Sequence, residues 1–215
     1  MSAGVGRDQY ERDSFRILFV CTGNICRSPF AEILTRHLLI GKLGGNGAAA
    51  FCVTSAGVSA VVGSGMHPQT RAELAPWGLH TWPSEKFVAR QLVSSIIEEA
   101  DLVLTAQRHH RSAVVELSPS ALSTTFSLRE FARLLQTVDG RQLPTEAPVR
   151  ARHLVHAARQ QRGMAGPVSR ELERLPDPVG QPQSVHHLTA MLISEALRTF
   201  VDVLVPPLTP PGPHR

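Results

Sequence analysis

A cysteine and an arginine with five residues between them are the pair in this chain best suited to chemistry. Cys21 and Arg27 belong to a short loop that follows an apolar run at residues 17–20 and precedes a helical pattern beginning at Pro29. Backbone N–H groups that lead into a helix converge on one point, and an arginine adds two parallel donors for an oxyanion. The same positive field stabilises a thiolate, the nucleophilic form of cysteine. The spacing therefore predicts a phosphate-binding loop with a nucleophile inside it.

The other loop residues suit the same site. Gly23 permits a close backbone approach or a positive φ, the Asn24 amide can hold the loop, and the Ser28 hydroxyl can donate to a thiolate. The Cys-to-Arg spacing alone also occurs by chance, with the cysteine as a small buried residue. The strand before the loop and the helix start after it favour a phosphate-binding site over a chance occurrence. We expect the oxyanion to contact six residues besides the cysteine and the arginine, namely Thr22, Gly23, Asn24, Ile25, Cys26 and Ser28.

A carboxylate far along the chain is the candidate for a general acid. Asp177 lies between Pro176 and Pro178, which hold the backbone extended and fix the direction of the carboxyl. Protonation of a leaving oxygen by such a group typically accelerates a reaction by about 10²–10⁴-fold. An ordinary Asx turn is the alternative interpretation. The presence of the Cys21 loop favours the acid.

Residues 15–31, FRILFVCTGNICRSPFA, resemble the signature of the low-molecular-weight protein tyrosine phosphatase family. The shared pattern is an apolar strand, the loop C-x-G-N-x-C-R-S, and a helix that begins at the following proline. Further resemblance runs through residues 54–57, 89–92, 100–105 and 176–178. The resemblance covers residues 15–118 and 171–204 and leaves the region between them unmatched.

The resemblance implies a phosphatase that forms a phosphocysteine at Cys21, with Arg27 holding the phosphate and Asp177 as general acid and then base. Ser28, Asn24 and Ser55 resemble the family's supporting hydrogen-bond network. No metal or other cofactor is implied. In the family, a cysteine at the place of Cys26 protects the nucleophile by forming a reversible disulfide. A packing role for Cys26 is equally open.

The chain departs from the family pattern where relatives specific for phosphotyrosine carry aromatic residues. Val61, Val179 and Gly180 occupy these places. An aromatic wall would have to come from Phe30, Trp77, Phe126 or the unmatched region. The loop at residues 55–63 resembles a bacterial branch that acts on tyrosine kinases of polysaccharide export, which makes such a phosphotyrosine protein the expected partner. Phe87 stands where some relatives have a histidine, so the loop network is expected to be one bond short.

Alternating strand and helix patterns predict an α/β fold, with a doubly wound central parallel sheet and helices on both faces. Strands are predicted at residues 16–20, 51–55, 101–105 and 124–126, and a helix at residues 89–97. A capping box of Ser127 and Glu130 predicts a helix to residue 135. The final helix, at residues 185–203, is expected to present to the core a stripe of Leu188, Met191, Leu192, Leu197 and Val201.

The predicted organisation is one domain at residues 15–204, between a disordered leader at residues 1–14 and a Pro-rich disordered tail at residues 205–215. Within the domain, residues 127–170 are interpreted as a helical insertion. It is either a solvated hairpin or a lid near the active site.

Composition narrows the functional classes. The chain has 215 residues, a net charge of +4 with scattered basic residues, and three cysteines. Neither nucleic-acid binding nor a membrane span is predicted. The protein is expected in the cytoplasm, a reducing compartment in which cysteines stay free. Cys52 is expected in the core. No zinc-binding spacing is present, and the adjacent pairs His109–His110 and His186–His187 are expected to be solvated or to pack.

Two alternatives remain. The first is an arsenate reductase of the same fold, which would need further cysteines downstream to carry a disulfide outward, and none follows Cys52. The second is a phosphate-loop protein with little activity that binds a phosphorylated partner. The presence of Cys21, Arg27 and Asp177 argues against it.

Overall fold

A four-stranded parallel sheet forms the centre of the protein, with strand order β2-β1-β3-β4. The computed structural model describes residues 14–164 and 169–205, so the predicted leader and tail lie outside the described residues apart from Ser14 and Val205. The predicted α/β fold is confirmed. The strands are β1 (Phe15–Cys21), β2 (Phe51–Gly57), β3 (Leu102–Thr105) and β4 (Thr125–Ser127).

Eight α-helices connect and follow the strands in the described ranges. The first is kinked at Gly44, whose φ of 69° lies outside the helical region. They are α1 (Arg27–Ala49), α2 (Pro68–Ala72), α3 (Ser94–Glu98), α4 (Arg108–Leu117), α5 (Leu128–Leu135), α6 (Ala147–Met164), α7 (Arg170–Glu173) and α8 (Gln183–Leu204). No helix of this described part combines the length and apolar character needed to cross a bilayer.

Alternating residues of β1 supply both faces of the sheet. Ile17 and Phe19 enter the larger apolar cluster, which includes residues of α1, α5, α6 and α8. Leu18 and Val20 enter a smaller cluster on the other face, with residues of α3 and α4. A parallel sheet covered on both faces leaves its carboxyl edge for ligands. Cys21, the last residue of β1, lies at that edge.

The predicted insertion packs into the core, which corrects the expectation of a solvated hairpin or lid. Phe131 of α5 and Leu154 of α6 are fully buried, and the ring of Phe131 contacts that of Phe200 in α8 with centroids 5.4 Å apart. Arg150 is 1% exposed, and its guanidinium donates to the carbonyls of Gly140, Leu143, Pro144 and Val203. These hydrogen bonds connect α6 to the segment before it and to the last turn of α8.

The predicted core face of α8 is partly wrong. Leu197 and Val201 are buried as expected, whereas Leu188 and Met191 are exposed. The buried stripe runs through the smaller residues Thr189, Ala190, Ser194 and Ala196 as well as Ile193 and Phe200. The small side chains let α8 lie close to α1 and α5, whereas Leu188 and Met191 lie outside this contact.

Two further expectations are wrong. Cys52 is exposed, because it points to the outer face of β2, which lies at the edge of the sheet. The predicted helix at residues 89–97 begins only at Ser94. Residues 89–92 are extended because their N–H groups bond elsewhere. The N–H groups of Ala89 and Leu92 donate to the carbonyls of Ser64 and Gly57.

Candidate active site

The loop between β1 and α1 closes tightly on the end of β2. Asn24 has a φ of 53°, in the left-handed region that asparagine tolerates better than most residues. Gly57 lies against the loop, where a Cβ would come within 2.5 Å of the Thr22 carbonyl oxygen and 2.9 Å of the Asn24 nitrogen. Only glycine fits this contact. The shape of the loop therefore depends on a residue of the neighbouring strand.

Carbonyl groups of the loop are bound on one side by the segment that follows β2. N–H groups of Val58, Ser59, Val61 and His67 donate, in that order, to the carbonyls of Cys21, Thr22, Gly23 and Ile25, at 2.8–3.0 Å. With the carbonyls directed to this segment, the loop has the polarity expected of one whose N–H groups line an anion site. Substrate binding by the loop residues stays a prediction.

Asn24 is the hub of the loop's hydrogen-bond network. Its Nδ2 donates to the hydroxyls of Ser28 and Ser55, each at 2.9 Å, and its Oδ1 accepts from the Arg90 backbone N–H at 2.9 Å. Both ends of the amide are thus satisfied. The expectation that Phe87 leaves the network one bond short is wrong. The Arg90 backbone N–H supplies the donor to Asn24.

A buried carboxylate that the sequence analysis missed extends this network. The Ser55 hydroxyl donates to Glu32 Oε2 at 2.6 Å, and Glu32 also pairs with Arg36 at 2.8 Å. Burial raises the pKa of Glu32 above its ordinary value. The sequence analysis missed Glu32 because a glutamate in the first turns of a helix is common and does not indicate a buried site.

The thiol of Cys21 lies 3.0 Å from the Ser28 hydroxyl. Ser28 also accepts from Asn24, so its own hydrogen is free to point at the sulfur. Cys26 is buried in the same loop, and burial raises the pKa of its thiol to about 11. The two cysteines of the loop therefore differ in surroundings, and a hydroxyl donor is in contact with the predicted nucleophile.

Arg27 and Asp177 meet across the site. The Nη2 of Arg27 donates to Asp177 Oδ2 at 2.5 Å, and the arginine is buried while the carboxylate side chain is 44% exposed. The Nε and Nη1 atoms of Arg27 are buried with no hydrogen-bond partner among the described residues. Such groups are uncommon in proteins. They are donors available to an oxyanion, and either of them forms a parallel pair with Nη2 once Asp177 no longer occupies that atom.

His110 contacts the loop from α4, a role that the sequence analysis did not foresee. Its Nε2 lies 2.9 Å from Thr22 Oγ1, which in turn accepts from Arg27 Nη2 at 3.4 Å. Burial, with lesser contributions from His109 and Arg27, lowers the pKa of His110 to about 3. The neutral imidazole can then accept the Thr22 proton and hold the hydroxyl toward Arg27.

Aliphatic side chains flank the site. Val61 approaches the loop at Gly23, and both Val61 and Val179 are about half exposed. Phe30 and Phe126 are fully buried in the core and cannot form a wall. Trp77 packs against Phe30, with ring centroids 6.1 Å apart. The aromatic wall considered in the sequence analysis is therefore not supplied by these residues.

Together, the fold and this site define an α/β protein whose first strand ends in a cysteine, followed by a tight loop and a buried arginine with unpaired donors. The sequence model of the family described as "Low molecular weight phosphotyrosine protein phosphatase" matches residues 16–148. The chain belongs to this family. The matched range includes α5, and α6 begins at its end.

Similar proteins are known from several bacteria. The chain is 34% identical to low molecular weight protein-tyrosine-phosphatase Wzb of Salmonella typhi, over 50% of this chain and 64% of that protein. It is 33% identical to the probable low molecular weight protein-tyrosine-phosphatase EpsP of Ralstonia solanacearum, over 53% of this chain and 70% of that protein. The match to the Salmonella protein thus spans less than two thirds of its length.

Among solved structures, the YwlE arginine phosphatase of Geobacillus stearothermophilus is 26% identical, with a TM-score of 0.60 over 87% of this chain and 91% of that chain.

Proposed function

We propose that this chain is a phosphatase that hydrolyses phosphate monoesters, with protein phosphotyrosine as substrate, through a phosphocysteine at Cys21. The observation that carries the proposal is the arrangement of Arg27, whose Nη2 pairs with Asp177 and whose Nε and Nη1 have no partner among the described residues. A nucleophile, an anion-binding group and an acid are thus associated with one loop.

The first step transfers the phosphoryl group. The Cys21 thiolate attacks phosphorus, while Arg27 and the loop N–H groups of residues 22–28 bind the non-bridging oxygens. Asp177 leaves its ion pair with Arg27, takes up a proton from solvent, and gives this proton to the leaving oxygen. Its exposed position at the rim suits this exchange. The products of the step are an alcohol or phenol and phosphocysteine.

The second step restores the enzyme. A water molecule gives a proton to Asp177 and attacks phosphorus, and the S–P bond breaks to release inorganic phosphate and the Cys21 thiolate. The Ser28 hydroxyl, 3.0 Å from the sulfur, stabilises the departing thiolate. Arg27 and the loop supply the positive charge that phosphoryl transfer requires, so the mechanism assigns no step to a metal or other cofactor.

The proposed substrate is a phosphotyrosine protein, specifically a bacterial tyrosine kinase of polysaccharide export. The names of the Salmonella and Ralstonia relatives support a protein-tyrosine-phosphatase, and Val61 and Val179 offer apolar surface at the rim for an aryl ring. We also propose a cytoplasmic location, where Cys21 would remain reduced, and a single domain at residues 15–204.

Metal-independent hydrolysis of para-nitrophenyl phosphate by wild type and Cys21→Ser tests the proposed activity. We expect turnover that Cys21→Ser abolishes and that a chelator leaves unchanged. Arsenate reduction with an external thiol is measured in parallel. Reduction of arsenate without phosphate release would favour the reductase. A lack of turnover with retained phosphopeptide binding would favour the binding protein.

Protein phosphoarginine is a second candidate substrate, favoured by the likeness to the YwlE arginine phosphatase. A peptide carrying phosphotyrosine and a matched peptide carrying phosphoarginine distinguish the two. The proposal expects a larger kcat/KM with the phosphotyrosine peptide. The opposite order would assign the chain to phosphoarginine.

A further inference from the structure

A cysteine and two histidines from three separate segments meet beneath the phosphate-binding loop. One ligand atom from each of Cys26, His67 and His186 lies within 4.8 Å of the other two. Cys26 belongs to the loop, His67 directly precedes α2, and His186 lies in the first turn of α8. Because the segments are far apart in the sequence, no ligand spacing reveals the cluster.

The histidines hold nitrogen atoms that the protein leaves unpaired. His186 is fully buried, and its Nε2 makes no hydrogen bond of good geometry within the described ranges, although the Pro178 backbone interacts with the ring. The buried Nδ1 of His67 has none there either. The two rings stack, with centroids 4.9 Å apart and an angle of 23° between their planes. Buried polar atoms are nearly always paired, so these two nitrogens beside a thiol require an explanation.

We propose that Cys26, His67 and His186 form a site for a thiophilic divalent cation of the Zn²⁺ type. Thiolate sulfur and imidazole nitrogen are the preferred ligands of Zn²⁺, with bond lengths of about 2.3 Å and 2.0–2.1 Å. Such bonds place ligand atoms about 3.3–3.8 Å apart in a tetrahedron. Side-chain movements of about one ångström would bring the cluster into this range. The thiol proton of Cys26 passes to solvent as the metal–sulfur bond forms.

Groups around the cluster already orient its members. Thr70 Oγ1 lies 2.8 Å from His186 Nδ1, as in metal sites where the second nitrogen of a histidine ligand makes a hydrogen bond. The backbone N–H of His67 donates to the Ile25 carbonyl at 2.8 Å, which joins this ligand to the loop. His67 is also partly exposed, so an ion has a route to the site. With three protein ligands, a water molecule would complete the tetrahedron.

Titration with Co²⁺, a spectroscopic substitute for Zn²⁺, tests the site in the full chain. The Cys21→Ser/Cys52→Ser variant retains Cys26 as its one thiol, because the chain has three cysteines. We expect this variant to bind one equivalent, with a thiolate-to-cobalt charge-transfer band and the intense d–d bands of tetrahedral Co²⁺. Competition with Zn²⁺ should remove both signals. Neither readout depends on phosphatase activity.

Ligand variants in this one-thiol background decide the assignment. Cys26→Ser should lose the charge-transfer band, and His67→Ala and His186→Ala should each raise the dissociation constant at least about tenfold. Because His186→Ala removes a buried ring, the folding of this variant is checked by circular dichroism. If His186→Ala does not fold, the assignment is decided by His67→Ala, since His67 is partly exposed. Absence of the band from the one-thiol variant, or unchanged affinity in His67→Ala, would overturn the proposal.

Discussion

Arg27 Nη2 lies 2.5 Å from Asp177 Oδ2, which joins the loop after β1 to the segment before α8. The arginine is buried, whereas the carboxylate side chain is 44% exposed. The ion pair therefore has one fixed partner and one partner that can turn toward solvent. This relationship matches the proposed cycle, in which Asp177 leaves Arg27 when a phosphate monoester takes over the guanidinium.

Replacement of Asp177 should affect poor leaving groups most. Asp177→Asn removes the acid while keeping the size of the side chain, and we expect kcat to fall by about 10²–10⁴-fold with phenyl phosphate. The loss should be smaller with para-nitrophenyl phosphate, whose leaving group needs less protonation. Steady-state rates with both esters measure this difference. An equal loss with the two would assign Asp177 to loop structure instead of proton transfer.

Substitution at Gly57 should distort the phosphate-binding loop from the neighbouring strand. In Gly57→Ala the new methyl group would come within 2.5 Å of the Thr22 carbonyl oxygen. We expect a loss of about 1–3 kcal/mol in the free energy of unfolding and about a hundredfold loss of kcat from misplaced loop groups. Gly65→Ala is the matched control, because its nearest contact would be 3.9 Å away. Similar behaviour of both variants would contradict the proposed fit.

The buried carboxyl of Glu32 should make stability depend on pH. Its folded-state pKa is raised from 4.5 by burial, so the folded state binds more protons than the unfolded state above that pH. The stability of the wild type therefore falls as pH rises through this window. Relative to wild type, Glu32→Gln should become more stable from pH 4.5 upward, as measured by urea unfolding at several pH values. A difference that does not change with pH would contradict the assignment.

Cys26 should resist alkylation in the folded protein at neutral pH. Burial raises the pKa of its thiol to about 11, so the reactive thiolate is scarce below that pH. Iodoacetate in metal-free buffer at neutral pH should label the exposed Cys52 and leave Cys26 unmodified, as read by peptide mass spectrometry. Urea-unfolded protein, in which all three thiols react, is the control. Labelling of Cys26 at the rate of Cys52 would refute the prediction.

Local patterns in the sequence predicted the parts of the fold that depend on neighbouring residues. The strand before Cys21 and the helix after it are examples, and so is the capping box, in which the Glu130 carboxylate accepts from the Ser127 N–H at 3.1 Å. Contacts between distant segments could not be predicted in this way. His110 reaches Thr22 from α4, and Arg90 reaches Asn24 with a backbone N–H that carries no side-chain signal.

The apolar pattern of the sequence also failed to predict which face of α8 is buried. Leu188 and Met191 are more hydrophobic than Thr189 and Ala190, yet the smaller pair is buried. Close packing of α8 against α1 and α5 decides this, since it selects side chains by size as well as by polarity. The same limit applies to the cluster around Cys26, whose members become neighbours only in the folded chain.

Trapping of the covalent intermediate is the most direct test of the account. Wild type is mixed with para-nitrophenyl phosphate, quenched in acid within the first turnovers and digested, and the peptides are examined by mass spectrometry. The account predicts a phosphoryl group on the sulfur of Cys21, accompanied by a burst of para-nitrophenol, and neither signal in Cys21→Ser. Turnover without a phosphorylated Cys21, or turnover retained by Cys21→Ser, would contradict it.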